Sequence, residues 1–439
     1  MRSVQLVTLG CSKNRVDSEH LLRQIADSGI EIIHEGNDFS AIHPDAVIIN
    51  TCGFIKDAKE ESIEAVLQAV EAKNKGFTGK VFVFGCLSER YRNELTLEIP
   101  EVDGFYGAFE MNSVLRALGK VWDCRLNNKR FLTTPSHYAY IKISEGCDRV
   151  CSYCSIPLIR GGHKSVAEEE LVEEAAYLAD GGVKELVVVA QDTTYYGIDL
   201  YKERRLAGLL EKLCGVNGIE WVRLLYSYPA SFPESILDVM AGNPKMCRYL
   251  DIPLQHVNDK VLNNMRRNID STATRKLVET IRKKVPDIVL RTTMIVGHPG
   301  ESPRAFDQLL DFVKEMKFER LGAFTYSEEE GTWGAQSLKD SISQKVKDER
   351  YEKLMDVQSQ ISLNYNISRI GKTERVLIDS FGEGVYVARS MSEAPEVDGE
   401  ILIGADSLTE ELKSKNIIGT FVDVKIENAD EYDLSASFI

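Results

Sequence analysis

The chain has no run of eighteen apolar residues, so no segment reads as a helix able to cross a bilayer. Its first residues, MRSVQLVTLGCSKN, hold no long apolar stretch followed by a small-residue cleavage site. The expected location is therefore cytoplasmic, with no membrane partner. Positive charge is scarce: 53 Lys and Arg stand against 68 Asp and Glu, a net charge of −15, which argues against a general nucleic-acid binder. No low-complexity tract is present. The segment GGHKS lacks the spacing of a phosphate-binding loop. Cysteine, in contrast, is plentiful. Nine cysteines in a reducing compartment are not expected to form disulfides, and their odd number also points to metal binding or chemistry.

At 439 residues the chain exceeds one ordinary core, and its 43% hydrophobic and 28% charged residues are those of a globular protein of several domains. Three apolar runs open it, each ending on a cysteine: VQLVTLG before Cys11, DAVIINT before Cys52 and KVFVFG before Cys86. Such β-branched runs read as buried parallel strands, and helical patterns follow at Val16–Asp27, Ala58–Lys73 and Glu89–Leu97. A short strand at DGFYG and a helix near Asn112–Leu118 complete an open parallel α/β domain over residues 1–125. Ligands of such sheets bind beyond the carboxyl ends of the strands, where all three cysteines fall.

The polar stretch LNNKRFLTTPSHY reads as a linker. Strands at AYIKIS, ELVVVAQD, WVRLLYS, YLDIP, IVLRTTMIVG and RLGAFTYS then alternate with helices, predicting a partial (β/α)6 barrel over residues 133–370 with its chemistry at the carboxyl-terminal mouth. A long helix at Gln344–Arg369 is expected to end at Gly371. Beyond it the period changes to two, and RVLIDS, GVYVARS, GEILIG and GTFVDVKIENA read as antiparallel strands of a small β-barrel, residues 371–439. Lys372–Ile439 holds 6 Lys and Arg against 15 Asp and Glu, a net −9, so this end is the acidic part.

The barrel's first strand runs into ISEGCDRVCSYCSIPLIRG, a C-x3-C-x2-C arrangement of Cys147, Cys151 and Cys154. A structural zinc site takes four ligands in C-x2-C pairs, and no fourth Cys or His lies close; the nearest, His163, stands beyond IPLIRGG. A four-iron cubane normally takes four cysteines, so three leave one iron open for a chelating cofactor.

This segment resembles the signature of the radical-SAM superfamily, with Tyr153 in its aromatic position. The resemblance implies a 4Fe–4S cluster on Cys147, Cys151 and Cys154 that binds S-adenosylmethionine and cleaves it to a 5′-deoxyadenosyl radical. LGCSKNRVDSE, NTCGFI and FGCLSER further resemble the three cysteine segments of the methylthiotransferase family, in which Cys11, Cys52 and Cys86 would hold a second 4Fe–4S cluster that handles sulfur. VAQDTTYYG, YSYP, LDIPLQH and FTYSEEEGT are similar to the RimO branch of that family, and the terminal barrel resembles a TRAM domain.

That branch implies addition of a methylthio group to the β-carbon of an aspartate in ribosomal protein twelve of the small subunit. It also implies a one-electron donor such as flavodoxin or ferredoxin. Two departures stand out: His298 occupies a usual Phe position and Ser302 a usual Thr position, and RGGHKSV replaces an ending in Ser-Arg. An RNA-binding TRAM barrel should be basic; this one, at −9, is expected to repel RNA and to steer a basic protein. Two alternatives remain at this level: a transfer-RNA methylthiotransferase acting on a modified adenosine, and a non-enzymatic iron–sulfur carrier.

The catalytic residues are not legible. Gln191 and Asp192, ending a barrel strand, are candidates to hydrogen-bond S-adenosylmethionine or substrate. Gly297 and Gly300 either let the backbone approach the cofactor or make the turn. His256 takes either a polar role at the mouth or a structural one, and Tyr326 is a candidate. Cys124, Cys214 and Cys247 have no such partners and read as core or boundary residues.

Overall fold

The computed structural model describes residues 1–33 and 43–439. Its first sheet contains β1 (Ser3–Thr8), β2 (Glu31–Ile33), β3 (Ala46–Thr51), β4 (Lys80–Gly85) and β5 (Gly104–Phe105), all parallel in the order β2-β1-β3-β4-β5. All six residues of β3 are buried, as a strand covered on both faces by helices requires. The helix Ser12–Asp27 starts directly after Cys11, four residues earlier than its apolar period suggests, and the helix Cys86–Glu98 starts on the cysteine itself.

A second parallel sheet holds β6 (Tyr138–Lys142), β9 (Glu185–Val189), β10 (Trp221–Leu224), β11 (Met246–Asp251), β12 (Val289–Val296) and β13 (Arg320–Thr325), in the order β13-β12-β11-β10-β9-β6. Each strand adds beside its predecessor with helices outside, giving the expected six-stranded partial barrel. The long helix is Gln344–Ile367, packed along β13. It ends at Ser368 rather than at Gly371, whose backbone N–H is instead taken by the Ile426 carbonyl.

The polar stretch 126–138 is not a free tether. Arg130, 3% exposed, donates to Glu19 on the first sheet's helix (Nε, 3.1 Å) and to Glu174 on a barrel helix (Nη1, 2.8 Å). A buried guanidinium needs such carboxylates, and these fasten the two sheets together.

The C-terminal barrel is closed in the order β14-β15-β16-β18-β17: β14 (Thr373–Gly382), β15 (Val385–Arg389), β16 (Ile401–Gly404), β17 (Phe421–Ala429) and β18 (Leu434–Phe438). The expectation of purely antiparallel strands is corrected at one seam. LSASF forms a fifth strand, and β16 pairs with β18 in parallel to close the ring. The loop between β15 and β16 inserts under the partial barrel, where Ala394 and Met391 pack with Tyr140, Val187 and Tyr249. Buried ion pairs hold it there: Glu393 with Arg320 (3.0 Å), and Arg389 with Glu185 (2.8 Å), which also binds Arg223 (2.7 Å). No described helix is long and apolar enough to cross a membrane.

Candidate iron–sulfur site

The C-x3-C-x2-C loop is clamped at its base. The short strands β7 (Ser144–Glu145) and β8 (Lys164–Ser165) pair antiparallel, so the whole loop and the helix Ile156–Arg160 form one closed excursion from the barrel mouth. The Cys147 N–H donates to the Gly161 carbonyl (3.0 Å), and Gly146, at φ +68°, sits where a Cβ would strike the Gly162 carbonyl. Cys147, Cys151 and Cys154 are therefore gathered on one clamped loop, close enough for Cys151 to raise the thiol pKa of the other two.

Cys11, Cys52 and Cys86 also come together, from three separate strand ends. A Cβ on Gly10 would lie 2.9 Å from the Cys52 sulfur, so only glycine lets these segments approach. Ser62 locks Cys52 by donating to its carbonyl and accepting from its N–H, both at 3.0 Å. Cys11 caps one helix and Cys86 opens another, positions where the helix dipole favours a thiolate.

Burial opposes that charge. It pushes the Cys52 thiol up to about 12 and the Cys147 thiol up to about 11, and raises Cys86 and Cys154 as well. Thiols held neutral in this way become thiolates when a cation binds them. Donors already point at the sulfurs: the buried Arg160 Nε at Cys86 (3.2 Å) and Arg267 Nη1 at Cys151 (3.4 Å), and the half-buried Arg149 N–H at Cys147 (3.4 Å). Among the described residues no three Cys, His, Asp or Glu stand close enough to share one metal ion. The thiols and their N–H donors thus fit iron–sulfur clusters.

Arg160 joins the two cysteine groups. Besides Cys86 it donates to Asn14 Oδ1 (2.6 Å) and Asp17 Oδ2 (2.9 Å) on the first sheet's helix, and to Glu145 Oε2 (3.1 Å) at the barrel mouth. Lys142 binds the same two carboxylates, Asp17 and Glu145. The sequence signal for Arg160 was its place six residues after Cys154; nothing there marked Asn14, Asp17, Glu145, Arg149 or Arg267.

The remaining candidates take varied positions. Gln191 donates to Glu145 (2.8 Å), and its Oε1 is buried without a partner, an acceptor facing the mouth. Asp192 is engaged internally by Arg149 Nε (2.7 Å) and the Thr194 hydroxyl (2.6 Å), and so steadies the cysteine loop. Gly297 (φ +76°) leaves room for the Lys347 stem and Gly300 (φ +92°) for the Asn264 amide, so close packing accounts for both. Half-buried Tyr153 receives Arg267 Nη1 (3.4 Å) and meets His298 edge-on, and Tyr326 meets the other side of the imidazole at 4.9 Å between centroids. His298 is fully buried, and that burial lowers its pKa to about 4, so at neutral pH it packs as an uncharged ring between two tyrosines. Its Nε2 lies 3.4 Å from Ser152 Oγ.

His256, also fully buried, accepts from the Asn258 N–H (2.9 Å) and faces Glu301 at 3.6 Å, a structural placement. His163 bonds Ser165 (3.1 Å) rather than approaching a thiol. Cys214 and Cys247 are buried and Cys124 is exposed.

Comparison with known proteins bears on the whole chain. Residues 141–313 match the Radical SAM superfamily, residues 3–107 the uncharacterized protein family UPF0004 and residues 370–439 the TRAM domain. The ribosomal protein uS12 methylthiotransferase RimO of Phocaeicola vulgatus is 49% identical over 437 residues, covering 100% of this chain and 99% of the relative. The chain belongs to the RimO methylthiotransferase family. The RimO of Bacteroides thetaiotaomicron is 48% identical, covering 100% of this chain and 98% of that protein. Among solved structures, the radical S-adenosylmethionine methyltransferase TsrM of Kitasatospora setae aligns with a TM-score of 0.54 at 15% identity, over 76% of this chain and 74% of that one. That likeness shows the shared fold. As a RimO-family, radical-SAM protein the chain is an enzyme that uses a 4Fe–4S cluster and S-adenosylmethionine, and the carrier alternative falls away.

Proposed function

We propose that this enzyme adds a methylthio group to the β-carbon of an aspartate in ribosomal protein uS12, with two 4Fe–4S clusters, one on Cys147, Cys151 and Cys154 and the other on Cys11, Cys52 and Cys86. The observation that carries the reading is the pair of buried or half-buried cysteine trios, one at the first sheet's strand ends and one at the barrel mouth, tied by one guanidinium, Arg160. Cys147, Cys151 and Cys154 would hold the first cluster, which when bound would supply one-electron cleavage of S-adenosylmethionine and so the means to remove a hydrogen atom from the aspartate. The protein's own task is placement: two reacting centres held at one carbon convert a difficult encounter into a local one. Arg149, Arg160 and Arg267 direct N–H groups at sulfur, which raises the potential of a cluster there. Gln191, whose Oε1 is buried without a partner, and Tyr153 would contact S-adenosylmethionine, Gly297 and Gly300 would shape the neighbouring turn by their close packing, and Asp192 holds the cysteine loop through Arg149.

Residues 1–125, 133–370 and 371–439 act as cluster, radical and TRAM domains. Part of the TRAM domain's acidic charge is spent internally, Glu393 on Arg320 and Asp379 on Arg389 and His137. The remainder steers a basic protein and disfavours RNA. A flavodoxin or ferredoxin supplies the electron, in the cytoplasm.

Mass spectrometry of uS12 from cells with and without this enzyme tests the reading. A methylthio mass that depends on the enzyme is expected. Unmodified uS12 in both strains, with loss of methylthioadenosine from transfer RNA in the deletion strain, would establish the RNA alternative instead. Replacing Cys147, Cys151 and Cys154 by Ala should halve bound iron; full retention would refute the ligand assignment.

A further inference from the structure

Cations around the mouth are nearly all paired with carboxylates: Arg149 with Asp192, and Lys142 and Arg160 with Asp17 and Glu145. Arg267 is spent on the Cys151 sulfur, the Tyr153 hydroxyl and the Pro253 carbonyl. Lys13 is different. It lies in the first turn of the helix Ser12–Asp27, two residues after Cys11, with only 8% of its surface exposed. Its ammonium stands 3.2 Å from the centroid of the Tyr226 ring, and among the described residues no carboxylate lies within ion-pair distance of it. Its polar neighbours are the Tyr226 side chain, the Cys11 thiol and, more weakly, Asp251, whose own oxygens are committed: one receives Arg291 Nη1 (2.9 Å) and the other the Tyr226 N–H (2.9 Å).

A buried ammonium is costly unless a counter-charge meets it, and a ring face compensates only in part. Tyr226 follows β10 at the carboxyl-terminal mouth and holds a left-handed backbone, φ +59°, which turns its ring toward the first sheet. The Cys11 segment therefore brings a cation that has no carboxylate partner against Tyr226 at the barrel mouth.

We infer that Lys13 binds the side-chain carboxylate of the substrate aspartate. The inference rests on the proposed activity toward uS12. In aspartate the carboxylate is bonded directly to the β-carbon, so gripping it fixes the reacting carbon one bond away. The same grip gives specificity: asparagine, of equal shape, offers the ammonium an amide oxygen but no counter-charge, and a buried cation without its counter-charge is costly.

The test is a binding cycle with reconstituted, full-length enzyme in the presence of S-adenosylmethionine. Kd is measured for uS12 and for uS12 with asparagine at the target position, using the wild type and the Lys13→Met and Lys13→Arg variants. The wild type should prefer the aspartate form by at least about tenfold, as loss of a close buried charge pair implies. Lys13→Met should bind both forms equally, and Lys13→Arg should keep part of the preference. An unchanged preference in Lys13→Met, with altered spin-resonance signals of the second cluster, would show that Lys13 balances cluster charge and would overturn the inference alone. A wild type that neither binds nor modifies uS12 would overturn the activity reading and this inference with it.

Discussion

Replacing Glu393 by Gln should release the TRAM domain from beneath the barrel. The carboxylate is 1% exposed and receives Arg320 (3.0 Å), Arg369, the Ser390 hydroxyl (2.7 Å) and the Ser390 N–H (3.1 Å). Burial alone would raise its pKa, but Arg369 and Arg320 outweigh burial and hold it at about 2, against an ordinary 4.5. At about 1.36 kcal/mol per pH unit, that depression corresponds to roughly 3 kcal/mol of stability. Breaking a buried pair from one side costs about 3–5 kcal/mol, a consistent figure. A depressed carboxylate stabilises the fold above its unfolded pKa. As pH falls below that value the unfolded chain takes up the proton first, and the contribution disappears by the folded value near 2.

The variant's deficit should therefore be full at pH 7 and shrink between about pH 4.5 and 2. Trp221, edge-on to Phe421 at 4.7 Å between centroids, reports this interface. Urea unfolding followed by its fluorescence, in a background where Trp122 and Trp333 are Phe, measures the loss. A deficit below about 1 kcal/mol at neutral pH, or one that does not change with acid, would refute the reasoning.

Gly146→Ala should open the clamp of the cysteine loop: with φ at +68° and the new Cβ against the Gly162 carbonyl, strain of about 2 kcal/mol or more is expected, read as proteolysis within 146–163 and lost iron. Intact iron content would contradict this. Arg160→Met should cost roughly 3 kcal/mol, because Asp17 and Glu145 would then share Lys142 alone, and it should lower the reduction potential of the cluster proposed on Cys11, Cys52 and Cys86 in a spin-resonance titration. His298→Phe should shift stability by less than about 1.5 kcal/mol in thermal unfolding, since the ring is already uncharged at neutral pH and packed between Tyr153 and Tyr326. A larger loss would show that its contact with Ser152 matters.

The two cysteine trios were legible because strand-end positions and C-x3-C-x2-C spacing are local patterns. The alternation of strand and helix that builds both parallel sheets is local too. What eluded sequence reading was long-range. Arg160 acquires its role from Cys86, Asp17 and Asn14, more than seventy residues away, and Lys13 from Tyr226 across the interface. The stretch 126–138 looks like a tether by composition, yet Arg130 is buried by carboxylates from both sheets. LSASF is too short and too small in its side chains to announce a strand, and closure of the C-terminal ring supplies its partners. The helix starting at Ser12 precedes its apolar period because its first turn buries polar residues, Lys13 and Asn14, which an apolar pattern does not register.

The different construction of the two trios has a consequence for how the protein is made. Cys147, Cys151 and Cys154 lie within eight residues, so a short loop closed by two small strands gathers them. Cys11, Cys52 and Cys86 are separated by 41 and 34 residues and meet only after β1, β3 and β4 are in register. Closing long loops is entropically dearer than closing one short loop. During synthesis, and again on partial unfolding, the first trio can persist as a local unit while the second exists only in the finished sheet. Integrity of the Cys11–Cys52–Cys86 pocket is thus a report on the folding of the entire amino-terminal layer.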